Sequence, residues 1–216
     1  MTIPAPAQPS DPEDYLFTND WFAKGIPVWD RIVLPMNPAK ILEVGCFEGQ
    51  SACYMIERCT ENGAVELYCV DTWLGGVDHD PKIMSDVEKR FDHNVNLALK
   101  KTKNPCHLKK MRGFSQVILP YLIASNHAET FDVIYIDGSH QAPDVLMDAV
   151  LSFRLLKVGG LMIFDDYVWH MEALGAQDSL NMPKPAIDAF LNIFQRKMRI
   201  ISGLPLYQLY VRKNAS

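Results

Sequence analysis

Residues able to do chemistry fall repeatedly at one kind of place in this chain, the end of a short apolar run. Gly45 follows the run 40–44, Asp71 the run 65–70, Gly113 to Ser115 the run 107–111, Asp137 the run 131–136, and Asp165–Asp166 the run 161–164. Carboxylates there can accept hydroxyl and N–H donors or hold a hard cation, and glycines let a backbone approach a ligand closely. Singly, each has a local explanation, since glycines make turns and aspartates cap helices. Together they share one surface only if the runs are strands of a single sheet, whose carboxyl edge is where open α/β sheets bind ligands.

The rest of the pattern supplies that sheet. Amphipathic stretches at 51–58, 85–101, 115–124, 145–156 and 186–197 read as helices between the strands, with Gly159–Gly160 as a turn before the run 161–164. Two last runs, 199–201 and 206–212, flank Gly203 and Pro205 as a hairpin would. The expected fold is α/β and Rossmann-like: a mainly parallel seven-stranded sheet with a closing antiparallel hairpin and helices on both faces. Residues 1–14, with Pro4, Pro6, Pro9 and Pro12, read as a flexible leader, and 15–216 as one domain opening with a helical, aromatic cap over 15–34. Trp21, Phe22 and Trp29 read as the apolar glue of that cap.

Composition narrows the function. With 48% hydrophobic and 22% charged residues over 216 positions, the chain can bury one two-sided sheet. A formal charge of −5 offers no basic field for nucleic acid or anionic lipid. No apolar run approaches membrane-spanning length, and the Pro-rich start is unlike a secretory signal, so a cytoplasmic protein without membrane partners is expected. Cys46, Cys53, Cys59, Cys69 and Cys106 form no C-x-x-C pair and read as reduced, mostly packed thiols. Whether the chain is a monomer or a homo-oligomer is not legible.

The segment 41–51 is a buried strand, an acidic Glu43, a turn with Gly45 and Gly49, and a helix start at Ser51. Phe47 stands where a dinucleotide fingerprint needs its second glycine, which disfavours a nicotinamide oxidoreductase. Glu43 at the strand end points to a ligand with a positive group, and Asp71, with Thr72 beside it, can accept both ribose hydroxyls of an adenosine. Asp78, His79 and Asp80 read as solvated or part of a lid, while Trp169 and His170 read as either substrate-facing or surface residues.

Residues 41–51, 68–71, 112–116 (Arg-Gly-Phe-Ser-Gln), 131–140 (ending Asp-Gly-Ser-His) and 156–167 (ending Phe-Asp-Asp-Tyr) together resemble class I methyltransferases. The likeness is to the metal-dependent O-methyltransferases of the catechol and macrolide-sugar types and covers most of 40–167 in order; the catechol subgroup accepts an aromatic at the position of Phe47. The resemblance implies S-adenosyl-L-methionine as cofactor, with Glu43 near its amino group, Gly45, Phe47, Gly49, Ser51 and Asp137 around the methionine portion, Asp71 and Thr72 on the ribose, and Ser115 and Gln116 at the adenine. It implies Mg²⁺ on Asp137, Asp165 and Asp166. A lysine of the catechol type has its counterpart here in His140, three residues past Asp137, which is expected as general base beside Asp137. The expected reaction is Mg-assisted methylation of a small-molecule hydroxyl, in secondary or natural-product metabolism; a non-catalytic cofactor-binding module and a metal-dependent hydroxylase-like relative are the alternatives.

Overall fold

The computed structural model describes residues 14–77 and 79–216. Apart from Asp14, the expected leader and Asp78 therefore lie outside the described residues. The elements are α1 (Ile26–Ile32), β1 (Lys40–Val44), α2 (Gln50–Tyr54), β2 (Val65–Asp71), α3 (Pro81–Met84), α4 (Val87–Lys101), β3 (Cys106–Arg112), α5 (Ser115–Leu122), β4 (Phe131–Ile136), α6 (Ala142–Leu155), β5 (Leu156–Phe164), α7 (Lys184–Phe194), β6 (Met198–Ile200) and β7 (Leu209–Lys213). Seven strands make one sheet in the order β3-β2-β1-β4-β5-β7-β6, parallel from β3 to β5, with β7 antiparallel to both β5 and β6. This is the expected Rossmann-like architecture with its closing hairpin.

Period-two alternation sends neighbouring residues to opposite faces. Ile41, Val133 and Leu161 pack with Trp29, Ala52 and Phe91 of α1, α2 and α4, whereas Leu42, Ile134 and Met162 pack with Leu119, Val145 and Ile187 of α5, α6 and α7. Each large side chain fully buried in these layers contributes about 1.5–3 kcal/mol.

Register then aligns the strand ends. Val44 pairs with both Val70 and Ile136, and Ile136 with Phe164, so the residues after them come out in one row. Backbone bonds continue the ladder past the ends: Gly45 N donates to Val70 O at 2.9 Å, Asp137 N to Val44 O at 2.7 Å, and Asp165 N to Ile136 O at 2.9 Å. The chain order reverses between β1 and β4, and the row lies over that switch point.

Two local expectations are corrected. The cap is not one helix: 15–20 are non-helical, Trp21–Gly25 is a 3₁₀ turn, and α1 starts only at Ile26, where Pro27 suits a first helical turn. The helix expected over 85–101 is present as α4, and a separate short α3, which Asp80 caps through Lys82 N, precedes it. Gly159–Gly160 does not end an element; β5 starts at Leu156, and its register against β4 shifts between Phe131 and Val133, so the glycines form an irregularity inside the strand. The five cysteines are free thiols, and among the described residues no helix is long and apolar enough to cross a membrane.

Candidate active site

Over the switch point lies a cavity of about 780 Å³, within the range of small-ligand sites. Gly45, Phe47, Ser51, Asp71, Thr72, Ser115, Gln116, Asp137, His140, Asp165 and Asp166 all reach it, the great majority of the residues expected from the sequence.

The turn after β1 depends on glycine. Gly45 has φ +84, and a Cβ there would sit 1.9 Å from Asp137 O, because β1 and β4 are tied together at this point. Gly49, expected beside the ligand, is instead needed for packing: with φ +80 it faces Phe91, 2.9 Å from where its Cβ would be, and is not among the lining residues. Asp71 holds the turn from the neighbouring strand. Its Oδ2 accepts Cys46 N at 2.7 Å and Phe47 N at 3.0 Å, and its Oδ1 accepts Trp73 N at 2.7 Å. A carboxylate offers about four acceptor positions, so one remains for a hydroxyl in the cavity.

Glu43 does not face the cavity. It is fully buried behind the turn, where its Oε1 accepts the Ser51 hydroxyl and its Oε2 the Cys69 thiol at 3.5 Å. Burial pushes its carboxyl up to about 7, while the Ser51 bond opposes that rise. Lying beneath the turn with its oxygens on Ser51 and Cys69, Glu43 bears on a ligand in the cavity through Ser51.

At the other end of the cavity is an acidic corner. Ligand-type atoms of Asp137, His140 and Asp166 lie within 4.8 Å of one another, with His140 Nε2 3.0 Å from Asp166 Oδ2 and the imidazole packed on the Trp169 ring at 4.4 Å between centroids. Asp166 reaches the group because its backbone adopts φ +52, uncommon outside glycine. Asp165, expected as a third ligand, borders the cavity but has both oxygens engaged: its Oδ2 accepts the Tyr135 hydroxyl and Gln208 Nε2, and its Oδ1 the Asp166 N–H. Burial, then Asp165 and Asp166, push the Asp137 carboxyl well above the usual carboxylate range; burial, then Asp166, raise Asp165 to about 6. No lysine or arginine lines the cavity among the described residues, so these charges have no fixed cation beside them. Oxygen donors gathered on adjacent strand ends fit a divalent cation at Asp137 and Asp166.

The flanking residues divide as well. Trp29 is core and the buried Phe22 borders the cavity from the core side, while Trp21, 57% exposed, lines the cavity and packs near Phe47 at 5.2 Å, with His79 against both rings. His79 and Trp169 therefore belong to the cavity wall, whereas His170, bonded to Glu172 O at 2.7 Å, is not among the lining residues. Sequence reasoning missed Tyr135, Asp148, Tyr207 and Gln208. Tyr135 was legible in principle, since it lies two residues before Asp137 and thus on the same face of β4. Gln208 is a lone amide in the apolar run Leu206 to Val211, a polar interruption that asks for a buried partner. Asp148 and Tyr207 come from a helix interior and a loop, and carry no such signal.

A model of the methyltransferase-domain family matches residues 42–167. The chain is 28% identical over 165 residues to the probable caffeoyl-CoA O-methyltransferase 3 of Dictyostelium discoideum, an alignment covering 74% of this chain and 56% of the relative. It spans about half the length of the curated relatives it matches, 56% and 50%. Among solved structures, the O-methyltransferase of Bacillus cereus in complex with SAH aligns over 92% of this chain and 84% of its own at 17% identity with a TM-score of 0.62. The O-methyltransferase TomG of Streptomyces achromogenes, involved in tomaymycin synthesis and solved with SAM, aligns over 89% and 81% at 16% identity with a TM-score of 0.59. At these identities the two structures are alike in fold.

Proposed function

The chain belongs to the methyltransferase-domain family, and from that premise we propose that it transfers the methyl group of S-adenosylmethionine to a hydroxyl oxygen of a small molecule. The observation that carries this reading is that one cavity contains both the Gly45 turn and the acidic corner, so a donor seated on the first meets an acceptor held at the second. The names of the relatives support the same donor and the same acceptor atom.

In this reading residues 15–216 act as one unit. Asp71 gives its remaining acceptor position to the ribose, with Thr72 alongside; Gly45, Phe47 and Ser51 surround the methionine portion, and Ser115 and Gln116 the adenine. Glu43 and Gly49 shape the turn from behind. The acceptor oxygen attacks the methyl carbon in line with the carbon–sulfur bond; the sulfur leaves with the bonding pair, and the hydroxyl proton passes to His140. Asp166, 3.0 Å from Nε2, orients the imidazole for that transfer. Most of the acceleration comes from holding donor and acceptor together. Asp137 and Asp166 would hold Mg²⁺, which when bound makes an acceptor hydroxyl more acidic. Trp21, Phe47 and Trp169 give the acceptor apolar walls.

Incubation with methyl-labelled S-adenosylmethionine and a panel of phenols, catechols and sugar alcohols should yield a labelled O-methyl product. Chelator should abolish transfer and Mg²⁺ restore it. Cofactor binding without transfer across the panel would leave a binding module instead, and full transfer in excess chelator would remove the cation.

A further inference from the structure

The Trp29 indole, packed beneath the N-terminal segment, is joined to the acidic corner by an unbroken chain of buried hydrogen bonds. Its Nε1 donates to Gln208 Oε1 at 2.9 Å, and the Tyr210 hydroxyl donates to the same oxygen at 2.5 Å. Two donors on one side fix which way the amide faces: its oxygen must meet them, so its NH₂ points the other way. There Nε2 donates to Asp165 Oδ2 at 3.1 Å and lies 3.4 Å from the Tyr135 hydroxyl.

From Gln208 two arms reach the cavity. The Tyr135 hydroxyl touches Asp165 and also stands 3.0 Å from Asp137 Oδ2. Asp165 Oδ1 accepts the backbone N–H of Asp166 at 2.8 Å, pinning a residue held at φ +52. Trp29, Tyr135, Tyr210 and Gln208 are all at most 3% exposed. Low dielectric strengthens each bond and makes any unmade one costly, so the network admits few alternative arrangements.

We propose that Gln208, aimed by Trp29 and Tyr210, is a positioning residue for the cation-binding corner, setting Asp137 through Tyr135 and Asp166 through Asp165. This rests on the reading of that corner given above. Asp165 is then the support of its neighbour, which is why both of its oxygens are taken up by protein donors. A merely structural amide would fill space and satisfy its neighbours, and its loss would leave the corner's affinity for a cation untouched.

The test uses Mn²⁺ as probe, titrated calorimetrically into the full chain with S-adenosylhomocysteine present. Gln208→Met keeps length and approximate volume but removes both ends of the link. It should bind Mn²⁺ about 10–100-fold more weakly, the range for removing a group behind a metal ligand, with S-adenosylhomocysteine affinity changed less than about twofold. Trp29→Phe keeps an aromatic ring and should weaken Mn²⁺ in the same direction by less. The double variant should be no weaker than Gln208→Met alone, because Trp29 acts only through the amide. If Gln208→Met does not fold, Trp29→Phe decides the question alone. Unchanged Mn²⁺ affinity in these variants, independent additive losses, or no Mn²⁺ binding by the unmodified chain would each overturn the proposal. Failure of the unmodified chain to bind S-adenosylhomocysteine would instead overturn the methyltransferase reading on which it rests.

Discussion

Replacing His140 with alanine should lower kcat by roughly 10²–10⁴ at neutral pH, the usual cost of a lost general base, while S-adenosylhomocysteine binds as before. The chain places the imidazole with care. Gly138 and Ser139 turn the backbone directly after Asp137, Gln141 N donates to Ser139 Oγ at 3.1 Å, and α6 begins at Ala142, so His140 is held over the cavity with no freedom to swing into the helix. Trp169 supports one side of the ring and Asp166 takes Nε2. A carboxylate in that position stabilises the imidazolium formed when the acceptor loses its proton. Much of the lost rate should return at alkaline pH, where solvent can take the proton. A folded His140→Ala protein with near-normal kcat would reduce His140 to a partner of Asp166.

The largest stability effect should come from Gly45→Ala. Left-handed backbone costs an alanine roughly 1–2 kcal/mol. At this position the new Cβ would also lie 1.9 Å from Asp137 O, 2.4 Å from its carbonyl carbon and 2.6 Å from Gly138 Cα. All three are backbone atoms and none can rotate away, so β1 and β4 must part. A total of about 3 kcal/mol or more is expected, which for a chain of this size lowers Tm by roughly 6–12 °C. Gly159→Ala is the matched control, since Gly159 has φ +85 but nothing within 4 Å of its Cβ position. It should show the backbone cost alone. Equal losses at the two glycines would mean that the contact between the β1 turn and Asp137 is not a tight one.

The residues that proved legible were those whose position follows from strand period and register. Gly45, Asp71, Asp137 and Asp165 each sit one step beyond or at a strand end, and parallel pairing at matched register turned that into one row. What stayed hidden was orientation. Nothing local distinguishes Asp165 from Asp166; the difference arises because Tyr135 and Gln208, 30 and 43 positions away from Asp165 in the chain, capture one carboxylate. Glu43 was read as ligand-facing because it ends a strand, but alternation turns it toward Ser51 and Cys69. The glycines 159 and 160 read as a turn because two in succession usually break an element, whereas here the pairing with β4 continues on both sides of them. The cap was misjudged for a related reason: its first residues are fixed by bonds from the body, Leu16 N to Asn94 Oδ1 at 2.6 Å and Thr18 N to Glu48 Oε2 at 2.6 Å, and not by helical periodicity.

The central claim is that the cavity at the β1–β4 switch point is built for S-adenosylmethionine, and calorimetric titration of the full chain with S-adenosylhomocysteine tests it most directly. One site per chain is predicted, with Asp71→Ala weakening it at least about tenfold through loss of both the ribose contact and the bonds that hold the turn, equivalent to about 1.4 kcal/mol. Absence of binding, or binding of NAD in place of S-adenosylhomocysteine, would contradict the account.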